Sequence, residues 1–236
     1  MPFRLVRSAL VISVAVFAVS SAWAMCSKES HAGAMHHHRQ AKQKPANAAG
    51  ASTRAYEAAM ATMHKHMRSE LSGNPDIDFV RQMIPHHQAA VNMAKIQLQY
   101  GSDARLKSLS RWIIRSQEVE IGFMKNWLYR RDNGAVIKGA RDYYGDAMAT
   151  MHHGMMIDYT GNADVDFVRG MIPHHQGAAD MASILFTHGT DPDLNALAKD
   201  IWGAQTQEIA WMKNWLAEHA GKQIANATLI QMIHEK

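Results

Sequence analysis

Apolar residues along this chain recur at helical spacing. Met60, Met63, His64 and Met67 stand at i, i+3, i+4 and i+7, one face of a helix, and Gly73 supplies a stop behind them. Asn74 followed by Pro75 is a start signal. The asparagine side chain accepts amide protons of the first turn, and proline lacks the one proton that would go unpaired there. That second helix ends at Gly101. Asp103 caps a third, whose inner face carries Gln117, Glu120, Ile121, Met124 and Leu128, and which stops near Asn133-Gly134. β-Branched residues never cluster at period two, so no strand is expected.

The same pattern then repeats without a gap. An offset of 88 carries Tyr56 onto Tyr144, Phe79 onto Phe167, Asp103 onto Asp191 and Trp127 onto Trp215. The longest shared strings run from Met60 to His64 and Met148 to His152, and from Met83 to Gln88 and Met171 to Gln176. Two copies are too few for a solenoid. The expected fold is therefore all-α: two tandem helical-bundle units of about three helices each, residues 52–134 and 135–236. A short last helix over Gln223 to His234 closes the second unit.

Pro85 and Pro173 fall inside the second helix of each unit, directly before a His pair. A proline there deletes one backbone hydrogen bond, at a cost of about 3 kcal/mol, and bends the axis. Either the bend re-aims the imidazoles, or one helix ends at Ile84 and another starts at Pro85.

The segment before the repeats reads differently. Arg4 and Arg7 precede an apolar run from Ala9 to Val19, and Ala22-Trp23-Ala24 offers small residues for cleavage, so residues 1–24 read as a signal peptide. The run is too short to span a membrane. A periplasmic or secreted protein follows. Cys26 leaves a lipoprotein alternative, weakened by Met25 before it. Residues 25–51 are polar, carry His31 and His36 to His38, and have no apolar period, the mark of a disordered tail that collects metal loosely.

Composition narrows the chemistry. Hydrophobic residues at 47% and charged residues at 19% describe a globular chain. A single Cys among 236 residues excludes an internal disulfide framework and a Cys-only zinc site. A net charge of +4 with no Lys/Arg-rich run gives no footprint for nucleic acid. The excess is in 17 Met and 15 His.

A Met stripe at helical spacing is ordinarily core, since Met fills gaps in bundles. Here, however, it flanks histidines, and an unpaired imidazole on a buried face is a polar liability. If the three helices of a unit pack together, His64 with Met60, Met63 and Met67 converges with His86, His87 and Met83 or Met93, and with Met124 beside Glu120. The second unit repeats this with His152, Met148, Met151 and Met155, then His174, His175 and Met171 or Met181, then Met212. Neutral thioethers with imidazoles select Cu(I), and by the same softness Ag(I), over zinc, magnesium or calcium.

Enzyme signatures are missing. No Glu-x-x-His for a carboxylate-bridged di-iron bundle occurs, nor His-Glu-x-x-His, nor Gly-x-Ser-x-Gly. Glu120 and Glu208 suit a hydrogen bond to a histidine nitrogen as well as they suit acid–base work.

The signature Asp78-Phe79-Val80-Arg81 through Met83-Ile84-Pro85-His86-His87-Gln88, then Met93-Ala94, Gln117 to Glu120, Met124 and Trp127-Leu128, with its partner from Asp166 to Leu216, resembles the domain-of-unknown-function 305 family. The tandem arrangement resembles its periplasmic, copper-binding CopM-type members. The resemblance implies ferritin-like bundles and binding of Cu(I) and Ag(I) in metal resistance and homeostasis. By match to the motif it assigns Met83, His86, His87 and Met93, and Met171, His174, His175 and Met181, as metal residues. The copies differ where Lys65, His66 and Arg68 become His153, Gly154 and Met156, so their ligand counts need not agree. Two functions are in play. One is sequestration or carriage of metal without turnover, with an efflux or carrier protein as the partner it would serve. The other is an envelope or structural bundle whose Met-rich surface docks a protein.

Overall fold

Each start signal forms as its chemistry requires. Asn74 Oδ1 accepts from the amides of Asp76 and Ile77, with Pro75 at the first helical position, and Asp103 Oδ1 accepts from those of Arg105 and Leu106. A computed structural model describes residues 48–67 and 70–234, with side chains for 50–67 and 70–219. Its helices are α1 Ala48–His66, α2 Pro75–Tyr100, α3 Ala104–Arg131, α4 Gly145–Gly154, α5 Ala163–His188 and α6 Pro192–His234. Among the described residues there is no strand. The expected signal peptide and most of the expected tail lie outside them. Residues 48–51, read as the end of the tail, belong to the first turn of α1.

Gly73 does not end α1, which stops at His66. It shapes the loop into α2 instead. With φ at 77°, a conformation that favours glycine, it offers its amide to Asp78 Oδ2, while the amide and hydroxyl of Ser72 go to Asp78 Oδ1. Thr160, Gly161 and Asp166 repeat the device before α5. Pro85 and Pro173 lie inside unbroken helices. The reading in which a helix ends at Ile84 is thereby excluded.

The C-terminal segment is helical as expected but continues α6 rather than forming a separate helix. The first repeat shows why. There Asp132 ends α3, pairing through both carboxylate oxygens with Arg81 at 2.7 and 2.8 Å. Its equivalent in the second repeat is Ala220, which carries no carboxylate to bind a guanidinium.

The helices of one repeat do not close a pocket among themselves. α3 packs on α2 and α6 on α5, while α2 and α5 pack against each other; α1 lies across α2 and α5, and α4 lies on α5. α2 and α5 run antiparallel, because the start of each meets the end of the other. Tyr144 donates to the carbonyl of Pro75, and Tyr56 to that of Ala163. Asp76 accepts from the amide and hydroxyl of Thr190, and Asp164 from those of Ser102. Every one of these contacts joins one repeat to the other. The described helices thus form one body with a pseudo-two-fold axis between α2 and α5.

Candidate metal centre

Two antiparallel helices related by a two-fold axis bring equivalent residues face to face wherever the axis passes. On α2 and α5 those residues are His86 and His174, fully buried, with ring centroids 3.8 Å apart. His86 Nε2 lies 3.1 Å from the carbonyl oxygen of His174. A carbonyl only accepts, so the proton sits on Nε2 and Nδ1 keeps its lone pair. That Nδ1 has no partner, and His174 makes no hydrogen bond of good geometry from either nitrogen. Burial holds both rings well below the usual imidazole range, and the neighbouring imidazoles push the same way. Both are neutral Lewis bases at neutral pH.

His87 and His175 are the next residues on each helix, and they turn away from the axis. His87 Nε2 donates to Glu120 Oε2 on α3 at 2.7 Å, and His175 Nε2 to Glu208 Oε2 on α6 at 2.6 Å. Each carboxylate orients its ring and leaves Nδ1 buried and unpaired. A carboxylate holding the far nitrogen of an imidazole is the usual support behind a metal-binding histidine. Leaving such nitrogens buried without a partner costs about 1–3 kcal/mol apiece. Gln82, Gln117 and Gln205 add unpaired amide atoms to the same interior. Gln117 and Gln205 are a repeated pair on the inner face that carries Ile121 and Met124 in the first copy, a signal the sequence carries. Gln82 is replaced by Gly170 at the equivalent position of the other copy, and nothing in the sequence marks it.

The methionines are interior. Met63, Met67, Met83, Met93, Met124, Met151, Met155, Met171, Met181 and Met212 are buried, Met60 and Met148 half-buried. They divide between two core clusters, each drawn from both repeats. Met83 and Met124 share one with Met181; Met171 and Met212 share the other with Met93, together with Met63, Met67, Met151 and Met155. The expectation of one pocket per unit is corrected accordingly. The faces identified in the sequence point inward, but the interior is shared with the other repeat, because α2 and α5 pack against each other and bring His86 onto His174. His153 and Met156, where the copies diverge, are exposed.

At the surface His64 on α1 meets its equivalent His152 on α4. Nε2 of the first lies 2.5 Å from Nδ1 of the second, with ring centroids 4.0 Å apart. Among the described residues no three His, Asp or Glu side chains converge on one point. A three-ligand zinc site of that kind is not built here. An ion that takes three or more nitrogen or sulfur donors from the described residues would draw on thioethers.

The family model for DUF305, a domain of unknown function, matches residues 76–162 and 164–235, more than half of the chain. No curated protein matches. Among solved structures, CopM in its Cu(I)-bound form is 41% identical, with 61% of this chain and 96% of that one aligned at a TM-score of 0.49. CopM in an Ag-bound form is 40% identical, over 61% and 95% at the same score. A DUF305 fragment from Deinococcus radiodurans is 27% identical, over 61% and 96% at 0.48.

Proposed function

We propose that this chain, which belongs to the DUF305 family, binds Cu(I) and Ag(I) as cargo through its interior Met and His side chains. In this reading it sequesters them in the periplasm, in copper resistance and homeostasis, without catalytic turnover. The observation that carries the reading is the set of four buried imidazoles, His86, His87, His174 and His175, each with an unpartnered Nδ1, in a core built of methionine. A soft monovalent ion satisfies those nitrogens without bringing in an anion, and thioethers complete its coordination. A divalent hard ion would ask for several carboxylate donors, and beside the histidines this interior supplies Glu120 and Glu208, each already bonded to a ring nitrogen. CopM takes Cu(I) and Ag in the forms named above, which makes these ions the first to test here.

The periplasmic assignment rests on the leader read from the sequence. No helix among the described residues is long and apolar enough to cross a membrane. The rival reading, a Met-rich surface for a protein partner, loses support because most of the described methionines are buried; Met60 and Met148 are half-buried and Met156 is 64% exposed.

Competition titration of the purified chain with Cu(I), Ag(I) and Zn(II), together with metal analysis of protein from copper-supplemented periplasm, tests the function. Tighter binding of Cu(I) and Ag(I) is expected. Preference for Zn(II), or a metal-free protein from copper-loaded cells, would overturn it.

A further inference from the structure

In a duplicated chain, residues that touch their own equivalents lie on the symmetry axis. This chain has two such histidine pairs at two depths: His64 with His152 toward solvent, and His86 with His174 fully buried. His152 is exposed and His64 half-buried. Met60 and Met148, each one turn earlier on the same helix face, are half-buried beside them.

A thioether links the two depths. Met151 precedes His152 on α4 and rests on α5 at Gly177, where a Cβ would come within 2.8 Å of its sulfur. Gly177 is one turn beyond His174. Met63, its counterpart on α1, is buried in the cluster that contains Ala89, the position equivalent to Gly177. From solvent inward the chain thus presents a histidine pair, buried thioethers one residue away on the same two helices, and a buried histidine pair whose His174 lies one turn from the Met151 contact on α5.

We infer that His64 and His152 form an exchange port, a two-imidazole site shared by the repeats through which Cu(I) or Ag(I) passes between solvent and the interior donors by way of Met151 and Met63. The inference rests on the proposed function and names the route to its site. A d10 monovalent ion accepts two opposed nitrogen donors, whereas zinc asks for four ligands. Two metal–nitrogen bonds of roughly 2 Å span roughly 4 Å, so the rings must part from their hydrogen-bonded separation. Side-chain rotation near the ends of α1 and α4 allows this. A ring that carries its proton on the outer nitrogen turns a lone pair to the ion, and loading then releases no proton.

The test uses the full chain loaded with Cu(I) and a water-soluble Cu(I) chelator in excess, with the transfer rate and the equilibrium affinity both recorded. His64→Ala/His152→Ala should slow transfer on the order of tenfold, the scale on which groups beyond the principal ligands act, and leave the affinity of the interior ions unchanged. His64→Met/His152→Met, which restores soft donors, should recover the rate. His153→Ala, an exposed neighbour, should exchange like the parent chain. If the parent chain holds Cu(I) and the double alanine variant exchanges at the parent rate, the port is overturned while the proposed function stands. If the parent chain holds no Cu(I), that function fails first.

Discussion

Asp164, in the first turn of α5, holds Ser102 of the other repeat by both its amide, at 2.9 Å, and its hydroxyl, at 2.6 Å. The buried carboxylate also receives the side-chain amide of Gln97. Asp76 holds Thr190 in the same way. These two clasps fix α2 and α5 in the antiparallel register that puts His86 opposite His174.

Asp164→Ala should therefore destabilise the chain by about 2–4 kcal/mol, since it leaves buried donors without an acceptor. Urea unfolding gives the number. A loss below about 0.5 kcal/mol, the scale of an ordinary surface change, would show that the clasp does not hold the repeats in register.

The joint origin of the core clusters changes what ligand replacement should do. Alanine at Met83, His86 and His87 removes donors from one repeat, yet Met181 shares a cluster with Met83, and His174 touches His86. Cu(I) capacity should fall by more than half. Retention of half the capacity at parent affinity would show that each repeat loads alone.

Acid should weaken the metal-free fold. His86 and His174 are held below the ordinary imidazole range by burial. In the unfolded chain they take up protons below about pH 6.5, while in the fold they remain neutral to a lower pH. The unfolded state thus binds more protons in that window, and stability declines as pH falls through it, by up to about 1.4 kcal/mol per pH unit for each ring. Above pH 6.5 the pair contributes no slope. His86→Leu/His174→Leu should flatten the decline in chemical denaturation curves, and an unchanged slope would count against the assignment.

Gly177→Ala would place a methyl group 2.7 to 2.8 Å from three side-chain atoms of Met151, one of them Cβ, which cannot swing aside. A cost of about 1–3 kcal/mol is expected. Ala89→Gly at the equivalent position should cost about 1 kcal/mol through helix propensity alone. Thermal melts of the two variants compare them, and a neutral Gly177→Ala would show that α4 is free to shift on α5.

Much of this was legible in the sequence because the signals are local. The caps at Asn74 and Asp103, the stop at Gly101 and the inward placement of Met83, His86 and Met124 all follow from spacing and residue type within one helix. The partner of each face was not legible. A duplicated chain offers every amphipathic helix two equally suitable neighbours, its own repeat's and the other's, and periodicity is the same in both cases. The clasp of Asp76 on Thr190 spans 114 residues and has no local signature. The ends of α3 and α6 diverge for a similar reason. Arg131 pairs with Asp191 and leaves the Trp127 indole nitrogen unpaired, whereas the equivalent Trp215 donates to Asp103 and stacks on His219.

A half-length chain carrying one repeat would have Asp76 without Thr190, Tyr56 without the carbonyl of Ala163 and His86 without His174. Such a chain could complete itself only on a second copy, as a symmetric homodimer whose assembly depends on its concentration. Fusion into one polypeptide makes that pairing independent of concentration. It also frees each half to change alone: Asp132 and Ala220, or Arg131 and His219, are differences that a true homodimer, with one sequence for both halves, could not hold.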